Sequence, residues 1–293
     1  MKLTEVIHRR GRAITAEVAP PKGRDASEVL EAATRVSTMV DAVNVTDGQR
    51  ATMHMSSMAL SRLMVERGVE PIWQTTCRDR NRIALQADLL AADALGVDNA
   101  LVVTGDPVSA GDHPEAKAVF DLDSVRLLQM ATQMMDGRDM AGNELEAPLD
   151  LCVGAVVAPE GRRTQGQIAR LRKKVAAGAQ FIQTQAIFDP AAFRRFMQRI
   201  DDLGVPVLAG ILPITSPGMA RFVTGQIPGI DVPPWLIQRL NEAPADEWGR
   251  VGAQIAGEIA ASVLDCCQGL HIMAQHAQYL VPEILRVAGI HAQ

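Results

Sequence analysis

Short runs of β-branched and aliphatic residues alternate along this chain with longer stretches in which apolar positions recur every three or four residues. That alternation is the mark of strand–helix repeats. Ala13–Val18 (AITAEV) reads as a strand whose functional end is Glu17, stopped by Pro20-Pro21. A helix is expected from Ser27, with Val29, Ala33, Val36 and Val40 at helical spacing. Ala42–Thr46 (AVNVT) is the second strand, and Met55–Arg67 the next helix, with Gly68 at its stop. Glu70–Thr75 is the third strand. Asp79 then caps a helix whose apolar face is assigned to Ile83, Ala87, Leu90, Ala91 and Ala94. Asn99–Thr104 is the fourth strand. The four strand ends fall at Glu17, Thr46, Thr75 and Thr104, a regular step of 29 residues. A strand, a helix and two loops need about that length.

The second half keeps the rhythm less evenly. Leu149–Val157, Phe181–Ala186, Val205–Leu212 and Gly269–Ala274 read as strands. Helices are expected over Gln165–Ala177, Pro190–Asp202, Ser216–Thr224 and Val281–Ala288, with a pair at Pro234–Asn241 and Asp246–Cys267. Eight strands, each followed by helix, predict an α/β fold: a (β/α)8 TIM barrel with a helical insertion before the eighth strand. No linker rich in Pro, Gly and Ser interrupts residues 1–293, so a single domain is expected. The alternative, a doubly wound open sheet, is weakened because no GxGxxG follows the first strand.

Composition narrows the chemistry. Of 293 residues, 47% are hydrophobic but only 3% aromatic, so the core must be aliphatic and base-stacking platforms are disfavoured. Lys and Arg total 29 against 34 Asp and Glu, a net charge of −5. That balance argues against nucleic-acid and anionic-membrane partners. No apolar run reaches the ~18 residues of a membrane span, and the N-terminal stretch lacks a signal-peptide core. Cys77, Cys152, Cys266 and Cys267 form no CxxC pair. They read as reduced thiols, and the expected compartment is the cytoplasm. The outer helices of a barrel leave homo-oligomer formation open.

In a barrel, function gathers at the C-terminal ends of the strands. Those ends carry Glu17, Thr46-Asp47, Gln74-Thr75, Thr104-Gly105-Asp106, Gln183 and Gln185. Glu17 lies between Ala16 and Val18, where burial favours the protonated form and suits a general acid. A charge-paired barrel carboxylate is the other reading. Asp106 follows a Gly that permits close backbone approach and precedes a Pro that stiffens the loop; an Asx turn is its alternative. Gln185 can both donate to and accept from a heterocycle edge. The loop Gly111–Asp123 is long enough for a lid or binding loop. Its His113 reads as an ordinary exposed histidine. Arg162, Arg163, Arg170, Arg172, Lys173 and Lys174 form a basic stretch, either a solvated face or a contact for a phosphate or glutamate tail. HExxH, EF-hand, Walker A and GxSxG spacings are absent, and no metal site is expected.

These residues resemble a family. The segments AEVAPPKG (16–23), VNVTDG (43–48), TCRDRNRIALQADLLAADALGVDNALVVTGDP (76–107), RKKVAAGAQFIQTQAIFD (172–189) and GILPI (210–214) are similar to bacterial 5,10-methylenetetrahydrofolate reductases. The block from 76 to 123 looks like the branch that includes acetogen enzymes. The resemblance implies an oxidoreductase that reduces methylenetetrahydrofolate to 5-methyltetrahydrofolate with hydride from NAD(P)H. By the same resemblance Glu17 is the general acid and Asp106 an electrostatic partner of pterin and flavin. Gln185 bonds the pterin, and Phe222 packs on the substrate. Thr46, Thr104, Gly105 and Lys174 lie on the cofactor side, for FAD or FMN.

The chain also departs from that pattern. Flavin-binding members carry Arg-Gly-Asp where this chain has Thr104-Gly105-Asp106. The segment GAVVAPEGRR (154–163) lacks the aromatic and His residues often found after the fifth strand, and HIMAQH (271–276) replaces an HxYTLN-like eighth strand. Three readings follow: a flavin-dependent reductase, a reductase without flavin that passes hydride directly from NAD(P)H, and a non-catalytic folate-binding barrel or methyltransferase partner.

Overall fold

The computed structural model describes residues 1–160, 164–226 and 230–290. Eight parallel strands close into a barrel in sequence order. They are β1 (Ala13–Val18), β2 (Ala42–Val45), β3 (Pro71–Thr76), β4 (Asn99–Val103), β5 (Cys152–Val157), β6 (Phe181–Ala186), β7 (Val207–Ile211) and β8 (Gly269–Ile272). The helices are α1 (Leu3–Arg10), α2 (Ser27–Ser37), α3 (Ser57–Val65), α4 (Arg82–Ala94), α5 (Ser124–Met135) and α6 (Thr164–Ala176). They continue with α7 (Pro190–Gln198), α8 (Pro217–Gln226), α9 (Pro234–Asn241), α10 (Trp248–Val263) and α11 (Val281–Val287). The expected barrel is therefore present, and α9 and α10 supply the insertion before β8.

The strand periodicity sorts side chains into layers. At the bottom, Ala13, Ala42, Ile72, Leu101, Cys152, Phe181 and Leu208 point inward and pack on Leu3 and Val6 of α1. Helix α1 thus plugs the floor, and the Leu3 amide donates to Asn99 Oδ1 at 2.7 Å. The second cluster joins the outward strand faces to the helices. Gly154 makes room for the Phe181 ring, since a Cβ there would sit 2.3 Å from it. Above the floor the barrel turns polar, with Thr15, Asn44, Gln183 and His271 all buried.

Three expectations need correction. The buried face of α4 is Leu85, Leu89 and Ala92; Ile83 and Leu90 are exposed. Two apolar stripes run along this helix, and the one in register with the sheet is buried. Its cap is Asn81, whose side chain accepts from the amides of Ile83 and Ala84, while Asp79 pairs with Arg78. Helix α10 starts at Trp248 and ends at Val263, shorter than the apolar pattern suggested. The pattern had also left α1 and α5 unassigned.

Candidate active site

Glu17 ends β1 facing the barrel mouth and is 7% exposed. Gln74 Nε2 of β3 donates to its Oε2 at 3.3 Å, and His271 Nε2 of β8 lies 3.6 Å from the same oxygen. Gln278 Nε2 donates to the Glu17 carbonyl at 3.3 Å. The carboxyl is thus hydrogen-bonded from β3 through Oε2, with the imidazole of β8 close by. Thr46, next to it at the end of β2, is buried and tied to β1 through its amide, which donates to Val18 O.

Asp47 follows Thr46 and gathers the β2–β3 side. It accepts from the Thr76 amide at 2.9 Å, from Thr76 Oγ1 at 3.0 Å and from Arg80 Nη1 at 2.7 Å. Arg80 also reaches Asp88 at 3.0 Å. This is a compensated pair, and Asp47 raises the Arg80 guanidinium against the opposing effect of burial. Arg78 is buried beside it, held by Asp79 and donating to Gly48 O.

Asp106 is exposed, and its carboxylate accepts from the Arg50 amide at 2.9 Å. Arg50 and Ala51 both have positive φ, 56° and 54°. Asp106 therefore pins a backbone turn that side-chain-bearing residues rarely adopt. The Arg50 guanidinium then lies over the Phe222 ring, 4.7 Å from its centre. Phe222 is on α8 and 44% exposed, so the β2 loop reaches across the mouth to the β7 side. Gln185 is half-buried on β6, and among the described residues its amide has no hydrogen-bond partner. Just beyond β8, Gln275 Nε2 is buried without a partner.

The residues assigned to the cofactor side are drawn into the protein. Thr104 Oγ1 donates to Ser124 Oγ at 3.2 Å and accepts from Arg170 Nη2 at 3.3 Å. Lys174 Nζ donates to Val156 O of β5 at 2.6 Å and is 6% exposed. Burial, with help from nearby Arg170, lowers its pKa to about 8. Gly105 has φ +93°, and a Cβ there would lie 3.1 Å from Thr76 and Arg78 carbons. It stands beside a cleft of about 580 Å³ lined by Thr104, Gly105, Pro107, Phe120, Asp123 and Arg126.

The long loop Gly111–Asp123 is fastened at several points: Asp121 pairs with Arg82 at 2.8 Å, and the amides of Val119 and Phe120 donate to Arg78 O and Cys77 O. Asp112 accepts from Lys22 Nζ at 2.8 Å and from the Met53 amide at 3.0 Å, which links the loops after β1, β2 and β4. His113 adds a contact to Asp112 at 3.0 Å. Of the basic stretch, Arg162 and Arg163 lie outside the described residues. Arg172 pairs with Asp202, and Arg170 lies 3.7 Å from Asp123. All four cysteines are free, and burial pushes the Cys77 thiol up to about 12. No group of three potential metal ligands occurs among the described residues. None of the described helices is long and apolar enough to cross a membrane.

A family model, methylenetetrahydrofolate reductase, matches residues 2–289. The chain belongs to this family. Methylenetetrahydrofolate reductase 2 of Schizosaccharomyces pombe is 26% identical over 99% of the chain, which spans only 48% of that protein. The 5,10-methylenetetrahydrofolate reductase of Pectobacterium carotovorum is 27% identical over 83% of the chain and 78% of its own length. The Escherichia coli enzyme of the same name is 33% identical over 38% of the chain and 39% of its own length. Among solved structures, a protein from Clostridium thermocellum superposes with a TM-score of 0.64 over 98% of this chain and 97% of its own, at 17% identity. That similarity supports the family's barrel. That protein is described as binding two copies of 5-methyl-5,6,7,8-tetrahydrofolic acid.

Sequence reasoning had placed Glu17, Gln185, Thr46 and Asp106 at strand ends, and the fold brings them to one mouth. It had not singled out Arg50 or Arg80, whose contacts come from loop geometry. His271 had been seen only as part of a departing segment. Its signal was a polar residue inside an apolar strand, the same one that marked Glu17.

Proposed function

We propose that this protein reduces 5,10-methylenetetrahydrofolate to 5-methyltetrahydrofolate, with NAD(P)H as the source of hydride. The observation that carries this reading is Glu17, buried at the mouth and held by Gln74. Family membership and a folate-binding neighbour of the same fold support it. Glu17 gives its proton to the nitrogen that leaves the bridging methylene carbon. The carbon–nitrogen bond breaks, and the carbon becomes an electrophilic iminium that accepts hydride. The Gln185 amide meets the pterin edge, with free donors and acceptor to offer. Phe222 supplies an apolar face once Arg50 moves aside, and Asp106 holds the Arg50 turn. Folding this chemistry into one domain of residues 1–293 belongs to the same proposal.

The family implies a flavin, FAD or FMN, which when bound would take hydride from the nicotinamide and pass it on. The cleft of about 580 Å³ beside Gly105 is where such a group would lie. Gly105 lets backbone approach closely, and Thr104 and Arg126 line the cleft with it, whereas Thr46 and Lys174 do not. A second reading, direct transfer from NAD(P)H, is favoured by a specific observation. The Lys174 ammonium and the Thr104 hydroxyl already have protein partners. The visible absorption spectrum of the purified protein separates the two, since only a flavoprotein shows the oxidised flavin band. Glu17→Gln tests the shared core of both. It is expected to abolish folate reduction while nicotinamide binding persists in a direct titration. Full activity in that variant rejects the assignment.

A further inference from the structure

Beneath the mouth, a hydrogen-bonded chain of side chains crosses the barrel from β2 and β6 to β1 and β8. Asn44 Nδ2 donates to Gln183 Oε1 at 2.7 Å, and Gln183 Nε2 returns a bond to Asn44 Oδ1 at 3.1 Å. In this pair each amide nitrogen donates to the other's oxygen. The second N–H of Gln183 donates to Thr15 Oγ1 at 3.2 Å. Thr15 oxygen is thereby an acceptor, and its single proton has two takers. His271 Nδ1 lies at 2.9 Å and Leu270 O at 3.4 Å. When Thr15 donates along the shorter contact, Nδ1 of His271 is the acceptor. A neutral imidazole with Nδ1 as acceptor carries its proton on Nε2. That nitrogen faces Glu17 Oε2 at 3.6 Å. The ring is 3% exposed, and its strand is paired on both sides, so it has little freedom to turn away.

We infer that His271 is a positioning residue for the acid step, with its Nε2–H held ready to bond the Glu17 carboxylate as the proton departs. The inference rests on the proposed role of Glu17. In the step, the Glu17 O–H bond breaks and the proton goes to the leaving folate nitrogen. The carboxylate left behind gains Nε2–H of His271 beside the bond it already accepts from Gln74. No proton leaves the histidine. At 3.6 Å the contact is longer than a hydrogen bond, and a closing movement of about half an ångström suffices. Other groups facing the pair are neutral: Asn44 from β2, Gln74 from β3 and Gln183 from β6. The charged pair at the end of β2, Asp47 with Arg80, is internally compensated, and His276 beyond β8 is exposed.

The test measures kcat, KM for the folate and the pH profile of kcat in four variants. His271→Leu removes the donor and is expected to lower kcat roughly 10- to 100-fold, the weight of one hydrogen bond to a charge. KM for the folate stays near the wild-type value. The alkaline limb of the profile, where Glu17 must still hold its proton, moves to higher pH because the carboxylate has lost a partner. His271→Gln keeps an N–H in place and recovers part of kcat. Thr15→Val removes the donor to Nδ1 and falls between wild type and His271→Leu. An unchanged kcat and unchanged limb in His271→Leu overturn the inference. So does a His271→Gln variant as slow as His271→Leu, which marks a packing role. If His271→Leu does not fold, as judged by circular dichroism, the other two variants decide by the same readings. Glu17→Gln, run alongside, separates the failures. A fully active Glu17→Gln defeats the proposed function itself, whereas an inactive one beside an unaffected His271→Leu defeats only the histidine.

Discussion

Lys174 carries its charge where solvent barely reaches, with a single carbonyl for company. Its pKa, lowered to about 8 from 10.5, makes stability depend on pH. Between those values the unfolded chain holds a proton that the folded protein has released, so stability rises with pH across that window. The gain amounts to at most about 3 kcal/mol. Urea midpoints from pH 8 to 10.5 are expected to climb in the wild type more than in Lys174→Met. Equal slopes in the two proteins would show that the ammonium is not the source. Gly105 is set by backbone alone. Its φ of +93° and the 3.1 Å approach to Thr76 predict that Gly105→Ala destabilises the fold by about 1–3 kcal/mol. A denaturation curve that overlays the wild type contradicts this. Single residues were also where sequence reading succeeded and failed most plainly. Glu17 was legible because a carboxylate inside an apolar strand demands a reason. Thr104 and Lys174 were legible as types, but their hydroxyl and ammonium proved to face Ser124 and Val156, choices made by neighbouring elements.

At the scale of elements, period-2 and period-3.6 patterns located all eight strands, yet they misjudged which side of α4 faces inward. Both stripes of that helix are apolar, and periodicity alone has no means to choose between them. Helix α1 escaped notice for a related reason. Only Leu3 and Val6 of its eight residues are buried, because it covers the barrel end-on rather than along its side. Leu3 fills the floor beneath seven inward side chains. Leu3→Ala is therefore expected to cost about 2–5 kcal/mol, read as a lower urea midpoint. An unaltered midpoint would mean that the plug contributes nothing. Glu160 shows a second coupling between elements. It accepts from the amides of Phe188 and Asp189 at the start of α7, at 3.1 and 2.9 Å. Burial raises its pKa to about 7 despite those bonds. From pH 4.5 to 7 the folded protein keeps a proton that the unfolded chain has lost, so stability falls as pH rises through that window. Glu160→Gln should flatten that part of the stability curve, and a slope identical to the wild type would refute it.

Across the whole molecule, the closed barrel follows from the 29-residue beat, whereas the closure of its mouth does not. Asp112 ties loops from three strands at one carboxylate, and Arg50 reaches over to Phe222. These contacts join residues with no periodic relation, so pattern has nothing to read. The amide layer beneath them spans the barrel in another sense. Asn44, Gln183 and Thr15 come from three strands, and each supplies what the next one lacks. Changing one alone strands a buried donor or acceptor, while changing the whole set to matching apolar shapes need not. Descent has therefore had few single steps open to it at these three positions. Among related barrels they are expected to vary together or to stay fixed together, as one inherited character rather than three.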